Sequence, residues 1–205
     1  MSVSSRLLPF LGVLILAAAL PGCRIVKNNP AGAPAAQNSG QQDAKGRVDA
    51  IWDAKLIPYA QAKAAPYPEL VRAIAAAPEQ AVHDHGFRAP NADAKAALYT
   101  RIEGVIVGGD SKSRVGTIEA DVDGDGKPDV TIQIGPILRG TVLRDSLDFV
   151  SFDSFTNQID YADFSKALNA HVRDQVLKGL PREGLIGRHV SLVGAFSWGP
   201  DHSLW

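Results

Sequence analysis

Four aspartates stand two or four residues apart in Asp121-Val-Asp-Gly-Asp-Gly-Lys-Pro-Asp129. Acidic residues at positions one, three, five and nine, with glycine at six, form the first part of an EF-hand-type calcium loop. Calcium is a hard cation that takes six to eight oxygens. The carboxylates of Asp121, Asp123, Asp125 and Asp129 can converge only if the chain bends sharply at Gly126. The backbone carbonyl of Lys127 would add a further oxygen. These five residues are the candidate metal ligands, and Ca2+ is the candidate cofactor. Position twelve is Ile132 rather than a bidentate Glu, so the expected affinity is weak, of the millimolar extracellular kind. The competing explanation is a polar hairpin turn, since Asp and Gly favour turns for their own reasons. Against it, four unneutralised carboxylates in one turn repel.

A second polar group follows. Arg139, Arg144, Asp145, Asn157 and Gln158 stand among apolar residues between Ile134 and Tyr161. Polar groups that become buried need partners. They either satisfy one another and the backbone of an irregular connection, or form a ligand site with Arg for an anion and Asn and Gln for hydroxyls. His83 and His85 are two residues apart and do not share a helix face, which argues against a zinc pair. Histidines in a last helical turn suit the dipole there. No nucleophile elbow or nucleophile–base pattern occurs, so an enzyme is not expected. A glycan-acting hydrolase using carboxylates such as Asp145 and Asp160 is the minor alternative.

These groups need elements to hold them. Ile118, Ala120 and Val122 alternate with Thr117, Glu119 and Asp121, and Val130, Ile132 and Ile134 alternate with Thr131 and Gln133. A period of two on both arms predicts a hairpin with the acidic loop at its tip. Leu98–Val107 and His189–Phe196 read as further strands. Val48, Ile51, Trp52 and Leu56 have helical spacing, stopped near Pro58. Pro68 and Pro78 each suit a first helical position, and Gly86 a helix stop. Phe149, Phe152 and Phe155 recur every three residues, which reads as a short strand breaking into a turn. Tyr161–Lys178 is the long helix, with Asp160 as its expected N-cap and Gly179 as its stop. The fold class expected is α+β: a small antiparallel β-barrel or bent β-sandwich, OB-like in strand order, with N-terminal helices and one long helix before the last strand.

The N-terminus carries an address. Arg6 precedes an apolar run of 14 residues, Leu7–Leu20, too short for a comfortable membrane span. Leu20-Pro21-Gly22-Cys23 then resembles a bacterial lipobox. Cys23 is the only cysteine, so it cannot form an internal disulfide, and lipidation explains it better. Residues 1–22 are read as a lipoprotein signal peptide, 23–45 as the lipidated Cys and a low-complexity tether, and 46–205 as one globular domain. Several acyl chains would anchor stably where one is marginal. Arg24 after the Cys favours the outer membrane in a Gram-negative cell. The expected location is the periplasmic side of the envelope. Net charge is −1 over the whole chain, with 21 basic and 22 acidic residues. Nothing in that balance points to nucleic acid.

The acidic loop resembles the calcium hairpins of the FG-GAP repeats in integrin-type propellers, over the loop alone. A broader resemblance covers nearly the whole chain after Cys23. Val48-Asp-Ala-Ile-Trp-Asp53, Gln133-Ile-Gly-Pro-Ile-Leu-Arg-Gly-Thr-Val-Leu-Arg-Asp145, Phe149–Ala162, Ala167-Leu-Asn169 and Val193-Gly-Ala-Phe196 resemble a family of predicted bacterial periplasmic lipoproteins, the domain of unknown function DUF2291. The resemblance assigns no chemistry. Its members often lie beside sugar ABC-transporter genes, which implies a transport-associated role. The expectation is therefore a non-enzymatic membrane-anchored lipoprotein, accessory to solute uptake, with a small sugar or an ABC transporter component as partner. The alternative is a structural envelope protein stiffened by calcium.

Overall fold

The computed structural model describes residues 33–90 and 95–199. The signal segment, Cys23 and Trp205 lie outside those residues. In chain order the elements are α1 (Ala33–Ile51), a π-helical turn (Trp52–Leu56), α2 (Ile57–Lys63), β1 (Ala65–Pro66), α3 (Tyr67–Ala76), α4 (Pro78–His85), β2 (Gly86–Phe87), β3 (Ala96–Gly108), β4 (Thr117–Asp121), β5 (Val130–Gln133), the short α5 (Val142–Asp145), a 3-10 turn (Phe152–Ser154), α6 (Gln158–His171), a second π turn (Val172–Val176) and β6 (His189–Trp198). The fold is mixed α+β, as expected. No helix among the described residues is long and apolar enough to cross a membrane.

β3 is the hub of the six-stranded sheet. It pairs antiparallel with β6 along ten residues, from Ala96↔Trp198 to Val105↔His189. A strand has two edges, so the other edge of β3 is shared in turn by three partners. β2 takes Ala97 and Leu98, β1 runs parallel at Thr100 and Arg101, and β4 begins at Val105. Beyond β4, β5 pairs from Ala120↔Val130 to Thr117↔Gln133, completing the predicted hairpin. Ile118 and Ala120 are buried on its inner face.

Gly104 makes the hub possible. A Cβ at this position would lie 2.1 Å from the backbone oxygen of Asp121. Only glycine lets β3 and β4 close at the root of the acidic hairpin. Gly104→Ala is expected to cost about 1–3 kcal/mol of stability through this forced separation. Urea unfolding measures it, and an unchanged midpoint would refute the close-approach argument.

Hydrophobic packing forms separate clusters. One, under α3 and α4, joins Leu70, Ile74, Val82, Leu98 and Trp198. Another, between α1, its π turn and α6, joins Val48, Trp52, Leu56, Leu147, Phe164 and Leu168. A third lies at the far end of β3, where Ile106, Ile118, Ile134 and Leu185 meet.

Four expectations change. Helix α1 begins at Ala33, inside the stretch read as a tether up to residue 45. The physical reason is that Ala44 and Val48 are buried, with α1 packed along α6, so the docked part of the helix supports the turns before it. The helix also does not stop at Pro58. The Ile57 N–H bonds the Trp52 carbonyl, five residues back, and Pro58 enters at the start of α2. The π turn takes up the irregularity that a proline without an N–H imposes. Phe149–Phe155 forms no strand; Ser151 Oγ accepts from the Asp153 N–H and starts a 3-10 turn. Finally, α6 starts at Gln158 with Asn157 as its cap, ahead of Asp160. The second π turn then shifts the helical phase, and Val176 within it is 59% exposed.

The helical run ends at Val176, before the expected stop at Gly179, while the punctuation of α3 and α4 agrees with expectation. α3 and α4 each have proline in the first turn, and Gly86 is the cap of α4.

Candidate functional site

The acidic loop sits at the tip of the β4–β5 hairpin. Asp121 is the last residue of β4 and is only 7% exposed. Its two carboxylate oxygens accept from the N–H groups of Gly124 (2.7 Å) and Gly126 (2.8 Å). Both glycines have positive φ, +85° and +84°, with open space where a Cβ would stand. They are required for backbone conformation, not for room. Asp129 Oδ2 reaches back across the loop to accept from the Val122 N–H (2.7 Å) and the Asp123 N–H (3.2 Å). The loop thus folds around its own carboxylates.

Ligand oxygens of Asp121, Asp123 and Asp129 lie within 4.8 Å of one another. That is close enough for one cation to bridge them. Asp125 is not part of this group. Its carboxylate accepts from the Lys127 N–H (2.7 Å) and pairs with the Lys127 ammonium (3.1 Å). Three of the four expected carboxylates therefore converge, and the fourth is held by a lysine that a cation would have to displace. The loop is tied to the helical layer by Tyr67 in α3, whose hydroxyl donates to the Asp129 carbonyl oxygen at 3.0 Å. Burial, and then the Asp129 charge, raise the Tyr67 phenol above its ordinary pKa, so it stays a donor.

In the second polar group, Arg144, Asp145 and Asn157 bond to the protein's own groups. Arg144 donates from Nε and Nη2 to Asp145 Oδ1 (2.8 and 2.6 Å), and its guanidinium lies 3.9 Å from the centre of the Tyr161 ring. Asp145 Oδ2 accepts from the Thr141 hydroxyl at 2.5 Å. Asn157 Oδ1 caps α6, accepting from the N–H groups of Ile159 (2.8 Å) and Asp160 (3.0 Å). Arg139 contributes its backbone: its N–H donates to Gln133 Oε1 (2.8 Å), and its carbonyl accepts from Gln133 Nε2 (3.3 Å). The expectation that the set is buried does not hold for all of it. Arg139, Asn157 and Gln158 are exposed. They flank a surface crossover that buries Leu147 and leaves Phe149 and Phe152 partly exposed.

Other residues that hold this crossover carry no local signal in the sequence. Tyr99 of β3, 2% exposed, shares a 2.5 Å hydrogen bond with the fully buried Ser146 Oγ, pinning the crossover to the sheet. Burial pushes the Tyr99 phenol up to about 12, against the opposing effect of the Ser146 hydrogen bond. Asn169 of α6 donates to the Gly140 carbonyl at 3.0 Å. Arg182 spans the far end, donating to the carbonyls of Ile134 and Ser113. His83 and His85 turn to different partners, the Asp84 carboxylate and the Lys63 carbonyl.

A hollow lined by Gly40, Asp43, Ala44, Arg47, Phe155 and Asp160 has a volume of about 10 Å3. That is roughly room for one water. None of Arg139, Arg144, Asp145, Asn157 or Gln158 lines it.

Comparison with known proteins adds three findings. A family model described as predicted periplasmic lipoprotein (DUF2291) matches residues 13–205. No curated protein matches. Among solved structures, the chain is similar to an OB-fold protein from Thermotoga maritima MSB8, with a TM-score of 0.55 and 16% identity over 78% of this chain and 86% of that one. At such identity the likeness speaks for the fold alone, and it agrees with the OB-like expectation.

Proposed function

We propose a function from one premise: the chain belongs to the DUF2291 family, whose members are predicted periplasmic lipoproteins. The protein is a non-enzymatic accessory of solute uptake, held to the periplasmic face of a membrane through lipidated Cys23. It works by surface contact with a component of an ABC-type transporter rather than by enclosing a sugar. The observation that carries this choice is the crossover. Its Arg144–Asp145–Thr141 chain and its Asn157 cap are spent on the protein's own structure. A solute site needs convergent polar groups in a concavity of several hundred Å3, far more than the hollow beside Phe155 provides.

The test is cross-linking in intact envelopes followed by purification of the anchored chain. Capture of a transporter subunit is the expected result, with no sugar raising the melting midpoint. A sugar that raises the midpoint by mass action would overturn the contact reading in favour of a solute-binding one.

Calcium at the hairpin belongs to the same proposal, as a stabilising ion. Asp121, Asp123 and Asp129 would hold it, with Asp125 and the Lys127 carbonyl completing the shell after Lys127 swings away. What supports this is the 4.8 Å convergence of three carboxylates. At about ten times its Kd, calcium would add about 1.4 kcal/mol to stability. The expected result is a melting midpoint that rises with calcium, returns with EDTA and no longer responds in Asp123→Ala. Identical melts in calcium and EDTA would remove the ion and leave the loop as a self-capped turn.

A further inference from the structure

β6 has a partner on one side only. Among the described residues it pairs with β3, from His189 to Trp198, and with no strand on its other edge. The Ile106 N–H donates to the Arg188 carbonyl at 2.9 Å just before that ladder begins, in the register that the ladder then keeps. Antiparallel bonding alternates along a strand. The backbone groups of Val190, Leu192, Gly194 and Phe196 therefore turn to β3, and those of Ser191, Val193 and Ala195 turn away from it. α2 reaches β6 at Ala195, beside Ala60 and Ala64. No hydrogen bond to the outward groups of Ser191, Val193 or Ala195 occurs among the described residues. Ser191 and Val193 are exposed, Val193 at 39%.

Proteins guard open strand edges with charge, proline, a bulge or shortness. The other end of the sheet is guarded in this way. β5 has only four residues, Val130–Gln133, and it follows Lys127, Pro128 and Asp129. β6 has none of these devices. It is ten residues long, and its ladder with β3 runs through without a register shift. Val190-Ser-Leu-Val-Gly-Ala-Phe-Ser-Trp198 holds no proline and no charged residue.

Backbone chemistry fixes the class of occupant. Outward N–H and C=O groups at ladder spacing are matched by another extended backbone. Closure then selects which one. A strand from elsewhere would pair with β6 and present an outer edge of its own. A second β6, run antiparallel about a twofold axis, uses up both open edges in one contact. Such a pair sets the strand against itself, so a charge near its middle would face its own copy at a cost. The middle, Leu192-Val193-Gly194, carries none. We infer that two copies of this chain pair through β6, joining their sheets across a twofold axis near Val193. The pairing depends neither on the lipid anchor nor on contact with a transporter.

The test uses the full lipidated chain. Light scattering in detergent solution, with the micelle mass subtracted, is expected to read two chains per particle. One chain per particle at every concentration would overturn the inference. Val193→Pro removes an outward N–H near the axis and suits an edge strand, since that N–H has no partner among the described residues. It is expected to keep the wild-type melting midpoint and to lose the dimer. Val193→Lys keeps the N–H but brings two ammonium groups together across the axis, and is expected to lose the dimer as well. Dimers that survive in a folded Val193→Lys chain would overturn pairing through this edge. A photo-crosslinking residue in place of Ser191 asks the same question in intact envelopes. An adduct of twice the chain mass is expected, several-fold stronger than from the same residue in place of Ile159, which is 70% exposed on α6. An adduct with a different envelope protein and none with a second copy would overturn the inference and assign the edge to that partner.

Discussion

Cys23→Ser moves the protein from the membrane fraction to the soluble periplasmic fraction. Burying a hydrocarbon chain contributes about 0.8 kcal/mol per CH2, so one acyl chain holds a protein marginally and two or more hold it stably. Serine accepts none of these chains through a thioether. The remaining apolar feature ahead of the domain is the 14-residue run Leu7–Leu20, shorter than the roughly 20 residues a spanning helix needs. Among the described residues no helix offers a substitute span. Fractionation with a wash at high salt measures the effect. A Cys23→Ser chain still sedimenting with membranes would refute lipid anchoring at this residue.

Leu168→Ala destabilises the domain by about 2–5 kcal/mol, the cost of lost transfer energy plus a cavity that neighbours cannot fill. Leu168 is 0% exposed and sits where α6 meets Val48 and Trp52 of the first helical layer and Leu147 of the crossover. Each neighbour is held by something else. Trp52 is stacked on His171 at 4.1 Å, and Leu147 follows the Ser146 that is bonded to Tyr99. Collapse into the cavity is therefore restricted, which favours the upper part of the range. Against a total stability of about 5–15 kcal/mol for a domain of this kind, the loss is large. Urea unfolding should show a lower midpoint with an unchanged slope. Val176→Ala, on the exposed side just beyond the same helix, should change stability by no more than about 0.5 kcal/mol. Equal effects for the two substitutions would mean that the cluster around Leu168 is not a core.

The strands of the hairpin, the starts of α3 and α4 and the stop at Gly86 were legible in the sequence because each is a local matter. Alternation along Thr117–Val122 reflects one wet face and one dry face. Pro68 and Pro78 are shaped for a first turn by their own rings. The Asp–Gly spacing of 121–129 specified a tight loop, and its carboxylates do fold inward on backbone N–H groups. Lipidation at Cys23 is expected on similarly local grounds, as an address written in consecutive residues.

Tertiary structure decided what depends on partners distant in the chain. The helix begins at Ala33 because α6, more than a hundred residues later, gives its next turns a surface to pack on. It passes Pro58 because a π turn supplies the slack. Asn157 caps α6 ahead of Asp160 because the crossover arrives in extended conformation one residue before Gln158. Arg139, Arg144 and Asp145 attract notice as polar residues in an apolar stretch. Whether such a group faces a ligand or its own backbone depends on where the chain turns, and Tyr99 and Ser146, 47 residues apart, set that turn. The hub role of β3 is of the same kind. Its pattern announces a strand, but sharing one edge among β2, β1 and β4 requires Gly104 to lie against Asp121. That close approach exists only once the sheet has formed.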